Sequence, residues 1–200
     1  MWGNTRSSAP DGAVQRSIAP AALTFAPILA MLLAVAPFPA LAIDVPPLPP
    51  QVVELAPNLK VQGGGELTFF GISVYDGYYW SPQHGWSHDG PFALDLHYHH
   101  ALNGPRIAER SVSEIKKLGY GTAEQRARWG MEMKRVFPNV SKGDRLTGVN
   151  LPGGVVRYFH NGKPIGDIAD PGFARAFFGI WLDPNSSEHE FRQRLLGEKP

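Results

Sequence analysis

From Asp144 to Ile168 the chain reads DRLTGVNL, the turn Pro152-Gly153-Gly154, VVRYFH, the turn Asn161-Gly162, and KPIGDI. Runs of β-branched and aromatic residues joined by such short turns leave no room for a crossover, so each run pairs with the next as an antiparallel meander. A sheet of this kind has an apolar face to bury, and that requirement governs how the rest of the sequence is read.

The remaining elements come in blocks. Upstream, ELTFFGISVYDGYYW is rich in aromatic and β-branched residues, with Asp76-Gly77 as the turn signal between two strands. In PFALDLHYHH, Phe92, Leu94, Leu96 and Tyr98 alternate with Ala93, Asp95, His97 and His99, which predicts a strand with one apolar and one polar face. A helix follows, with Pro105 at its start, Ile107, Ser111, Ile115 and Leu118 on one face, and Gly119 at its stop. Thr122 and Gln125 have capping-box spacing for a second helix, whose Trp129, Met133 and Val136 form an inward stripe before Pro138. After the meander, Asp170 and Pro171 open a helix carrying Phe173, Phe177, Phe178 and Trp181, and Ser187 with Glu190 suggests a cap for a last one ending at Gly197. Strands, two helices, three strands, two helices, without βαβ alternation, predict an α+β fold: an antiparallel sheet with helices on one face.

Ahead of this domain, Ala21 to Ala36 is an uncharged apolar run interrupted by Pro27, preceded by Arg6 and Arg16 and followed by Ala40-Leu41-Ala42. That order is the order of a secretory signal, so residues 1–42 are expected to be a cleaved leader and the mature chain to be exported to the periplasm or cell envelope; retention as an anchor is the alternative. The leader's apolar run falls short of the roughly 20 residues a spanning helix needs, and no later run approaches it, so no transmembrane span is expected in the mature chain. Residues 43–58 are rich in proline and read as an extended tether, with its Val and Leu able to add an edge strand. Residues 59–200 then form one domain. Lacking cysteine, the chain must be held by burial and hydrogen bonds alone. Its net charge of +1 offers no field to attract nucleic acid.

Three stretches, ALNGPRIAERSVSEIKKLG, FPNVSKGDRLTGVNLPGG and GKPIGDIADPGFARAFFGIWLDPNSS, together resemble the chalcone-isomerase-like proteins of bacteria. The resemblance spans roughly Leu59 to Gly197. It implies an open-faced β-sandwich with a ligand cleft between sheet and helices, in a superfamily that includes plant isomerases, fatty-acid-binding relatives and non-catalytic members. The plant isomerases carry T-G-x-x-Y-x-x-K-x-x-x-N in the first helix; laid on Asn103 to Glu114, the Tyr becomes Ile107, the Lys Arg110 and the Asn Glu114. Their strand Thr falls on Phe70, and their preceding Arg has no counterpart between Gly63 and Thr68. Ring closure on an enone needs cations or donors aimed at developing negative charge. The resemblance therefore implies binding of a small apolar or fatty-acid-like amphiphile rather than isomerisation, with no cofactor. An isomerase with rebuilt groups, Glu114 as its base, and a partner-binding scaffold without a cavity are the alternatives.

Arg110 is the first candidate for ligand contact, since a guanidinium can hold a carboxylate through two parallel hydrogen bonds; an i,i+4 ion pair with Glu114 is the competing reading. Tyr158 is a candidate cleft hydroxyl against the commoner buried, satisfied tyrosine. Ile107 and Phe70 would line the cleft. Asp95, His97 and His99 have side-chain types that ligate zinc or copper, but a polar strand face looks the same.

Overall fold

The computed structural model describes residues 45–198, so the leader and its cleavage site lie outside the described residues. Six strands form one antiparallel sheet in sequence order: β1 (Lys60–Phe69), β2 (Ile72–Ser81), β3 (Phe92–Tyr98), β4 (Arg145–Leu151), β5 (Val155–His160) and β6 (Lys163–Ala169). The expected meander is β4 to β6, with Pro152–Gly154 and Asn161-Gly162 at its turns. Of the helices, α2 (Gly104–Lys117) and α3 (Ala123–Val136) come between β3 and β4, and α4 (Pro171–Leu182) and α5 (His189–Leu195) follow β6. The fold is thus the α+β open-faced arrangement of an antiparallel sheet under helices.

Capping decides several boundaries. Asn103 accepts from Arg106 N to start α2, Thr122 and Gln125 form the reciprocal box that starts α3, and Asp170 accepts from Phe173 N with Pro171 at the first position of α4. The expected Ser187–Glu190 cap is not formed. The residue before α5 is Glu188, without a side-chain cap bond, and Ser187 is drawn instead to Glu114.

The β1–β2 turn also lies elsewhere than Asp76-Gly77. The chain reverses at Phe70-Gly71, and Asp76 and Gly77 run on inside β2. Gly77 serves packing: a Cβ there would sit 2.6 Å from Phe191 Cζ, so its absence lets α5 lie against the sheet. Gly63 does the same in β1, where a Cβ would run into the Arg194 carbonyl oxygen.

The helix-covered face supplies the main core. Tyr75, Tyr79, Leu94, Leu96, Tyr98, Leu146, Val156 and Ile168 from the sheet meet Ile115, Trp129, Met133, Phe177, Phe178 and Phe191 from the helices. The opposite face is also partly covered. Part of the segment expected to be a tether is a short helix, α1 (Pro50–Leu55), which buries Val52, with Leu48, against Ala93, Val149 and Phe159. Its apolar residues are worth more against the sheet than in solvent, by about 25 cal/mol per Å² buried. Arg145 Nη1 donates to the Pro47 carbonyl at 2.8 Å and fastens the approach to α1.

That cover changes the character of β3, which is not half-buried. Asp95 on its outer face is fully buried, bound by Arg145 (Nε to Oδ1 at 2.8 Å, Nη2 to Oδ2 at 2.5 Å), by Thr147 Oγ1 at 2.7 Å and by His97 Nε2 at 2.8 Å. Burial alone would raise its pKa, but hydrogen bonds from His97 and Arg145 and the Arg145 charge outweigh burial and hold the carboxyl below its usual value.

Candidate functional site

A cavity of about 480 Å³ opens between β1–β4 on one side and α2 and α4 on the other. Its wall is mostly apolar: Leu67, Phe69, Val74 and Leu96 from the sheet, Ile107 from α2, and Phe177, Ile180 and Trp181 from α4. Strand alternation places Leu67 and Phe69 on one face of β1, and the stripe of α4 brings Phe177 and Trp181 to the same space. Trp181 Nε1 donates to the Tyr75 hydroxyl at 2.8 Å, satisfying two buried polar groups in the wall. Burial raises the Tyr75 pKa, so this phenol stays neutral.

The polar part of the wall comes from α2 and the segment before α5: Arg106, Arg110, Ser111, Glu114, Ser187 and Glu188. Arg110 Nη2 lies 2.9 Å from Glu114 Oε1, and Lys117 Nζ also reaches that oxygen at 2.9 Å. Ser187 Oγ donates to Oε2 at 3.0 Å. Burial would raise the Glu114 pKa, but hydrogen bonds from Lys117 and Ser187 and the Arg110 and Lys117 charges leave it lowered. Glu114 is therefore an ionised carboxylate with donors on both oxygens. Arg110 in turn stacks over Phe69, its guanidinium carbon 4.9 Å from the ring centroid. Arg110 forms the i,i+4 pair with Glu114, the competing reading of this residue, and the pair lies in the cavity wall.

Other expected site residues lie elsewhere. Phe70 is not in the wall; it occupies the exposed tip of the β1–β2 hairpin, and its neighbour Phe69 takes the cavity position. Tyr158 is buried behind the wall, its ring 5.1 Å from that of Phe137, and its hydroxyl has no hydrogen-bond partner among the described residues. Arg157, one residue earlier, points to the opposite face and pairs with Asp167 at 2.7 Å.

Asp95, His97 and His99 do not converge as ligands. The Asp95 carboxylate is consumed by Arg145 and Thr147, while His99 lies past the end of β3 and turns to Ser73 and to Asp76, 2.9 Å away. Among the described residues no group of three His, Asp or Glu side chains is arranged to hold a metal ion.

The profile of the family described as chalcone isomerase-like matches residues 97–197, half of the chain. The chain belongs to the chalcone isomerase-like family. An uncharacterized Haemophilus influenzae (strain Rd) protein is 32% identical over 109 residues, 54% of this chain and 52% of that one, so the chain matches about half the length of this relative. Among solved structures, an Arabidopsis thaliana fatty-acid binding protein superposes with a TM-score of 0.52 at 13% identity, covering 70% of this chain and 87% of that one. At that identity the likeness establishes the chalcone isomerase-like fold and nothing finer. The α2 positions Ile107, Arg110 and Glu114 all line the cavity.

Proposed function

We propose that this chain binds a small apolar or fatty-acid-like ligand in the cavity between sheet and helices and releases it unchanged, outside the cytoplasm. The observation that carries this reading is the wall itself: about 480 Å³ bounded by aromatic and aliphatic side chains, with Arg106 and Arg110 at its polar part. Ligand pockets commonly enclose about 300–1,000 Å³ with few polar groups, which here suit an acyl chain and its carboxylate. Glu114 fixes one Arg110 nitrogen and leaves the guanidinium with further N–H donors for an anion. The Arabidopsis relative is a fatty-acid binding protein, which supports the same ligand class. The apolar leader supports the location, where envelope lipids are at hand.

Isomerisation is less well served. Ile107 offers no donor to a developing enolate, and Glu114 brings negative charge whose lone pairs are already engaged by three donors. A scaffold without a cavity does not fit the space present. The reading is tested by lipid extraction and mass spectrometry of the purified protein, with titration of a fluorescent fatty acid. A co-purified amphiphile and saturable one-site binding are expected; their joint absence overturns the reading.

A further inference from the structure

The β1–β2 hairpin breaks the rule for its own turn. Phe70 and Gly71 form a two-residue tip with φ of 49° and 75°, closed by the register pair Phe69 and Ile72. Two positive φ values define the turn that Asn-Gly fits best, because a bulky side chain is strained there. The β5–β6 hairpin obeys this rule, with Asn161 and Gly162 at 52° and 79° between His160 and Lys163. In β1–β2 an aromatic takes the strained position and projects into solvent. Phe69, Phe70 and Ile72 are 44%, 91% and 58% exposed, a cluster of apolar surface on one narrow tip. Strain and apolar exposure at one residue point to a use outside the fold.

The tip stands at the rim of the cavity. Phe69 belongs to the wall, Arg110 stacks on its ring, and Arg106 lies in the same wall. Of the two acids in the wall, Glu114 is already paired with Arg110 and Lys117, and Glu188 is the other. We propose that Phe70 and Ile72 insert into the interfacial region of an anionic lipid bilayer, so that the cavity mouth opens onto the surface that supplies its ligand. This partner rests on the ligand-binding reading above. A few aromatic and aliphatic side chains cover a few hundred Å², well short of the roughly 1,000 Å² of a specific protein interface. A bilayer requires only an apolar wedge flanked by cations.

Phe70→Asn with Ile72→Thr tests the assignment, because Asn is the residue the turn favours and Thr keeps a β-branched strand position. The full chain and this variant are co-sedimented with vesicles of phosphatidylcholine alone and of phosphatidylcholine mixed equally with phosphatidylglycerol. A fluorescent fatty acid is titrated into both proteins without vesicles. The variant should bind the mixed vesicles about tenfold more weakly, the effect of withdrawing a buried aromatic from the interface, with unchanged fatty-acid affinity. Equal vesicle binding by the two proteins, or a dimer in vesicle-free buffer that disappears in the variant, overturns the proposal. Wild-type protein that takes up no fatty acid yet sediments through Phe70 sustains the docking surface and overturns the ligand reading instead.

Discussion

Arg110 and Glu114, one helical turn apart, form a 2.9 Å ion pair in the wall of an apolar cavity. The pair leaves Arg110 half-exposed and Glu114 buried, so the guanidinium is the more accessible of the two charges. Arg110→Ala should therefore weaken binding of a fluorescent fatty acid about tenfold, or about 1.4 kcal/mol, and leave binding of its methyl ester nearly unchanged. Paired titrations of the two probes check this. Equal losses for acid and ester would mean that Arg110 contributes packing against Phe69 instead of charge recognition.

Glu114→Gln separates binding from catalysis. Removing this charge frees Arg110 and Lys117, so affinity for the fatty-acid anion should rise or hold. Stability should fall by about 1–2 kcal/mol, because the amide accepts less well from Lys117 and Ser187. Urea unfolding and the same titration measure both effects. An abolished isomerase activity in a folded variant would restore the catalytic alternative.

Acid should unfold the protein through two sites with lowered carboxyl pKa values. Asp95 and Glu114 titrate below their ordinary values of 3.8 and 4.5, so the unfolded chain binds more protons than the folded one as pH falls through this range. Their stabilisation is complete above the unfolded values and is lost as pH drops below about 4 toward the folded ones. Arg145→Ala removes the main partner of a fully buried carboxylate and should cost about 3–5 kcal/mol at neutral pH while flattening this acid limb. Denaturant midpoints measured from pH 7 downward test both statements.

The fold is legible in the sequence because its signals are local and redundant. Asn161-Gly162, the Thr122–Gln125 box and Asp170-Pro171 each announce a boundary with a few residues, and each boundary is where the chemistry puts it. Local signals mislead where a residue answers to a distant partner. Asp76-Gly77 resembles a turn, but Gly77 is there for Phe191, more than a hundred positions later. Ser187 resembles a cap, but Glu114 takes its hydroxyl. The proline-rich segment looks extended until the apolar patch of Ala93, Val149 and Phe159 is available to fold against.

The same distinction governs the site. Ile107, Arg110 and Glu114 are legible through the motif of the family they resemble, and all three line the cavity from α2. Phe70 is assigned to the cleft when the strand Thr of the plant isomerases is laid on it. Once Phe70-Gly71 is the turn, alternation through Leu67 assigns Phe69 to the cavity. The Tyr75–Trp181 bond joins β2 to α4 and leaves no trace in local pattern.

That bond gives the last test. Trp181 lies in the wall, with its indole nitrogen donating at 2.8 Å to a phenol that burial keeps neutral. Tyr75→Phe would leave the indole N–H without its acceptor, at a cost of about 1–3 kcal/mol. Trp181→Phe leaves a hydroxyl that can rotate toward the cavity but also removes part of a nearly buried ring, so it should destabilise to a similar extent. Because the indole borders the space an acyl chain would fill, ligand binding should change tryptophan emission in the wild type, and Trp181→Phe should abolish most of that change while binding persists by fluorescent-probe titration. An emission response that survives Trp181→Phe would place the ligand away from α4, outside the cavity described.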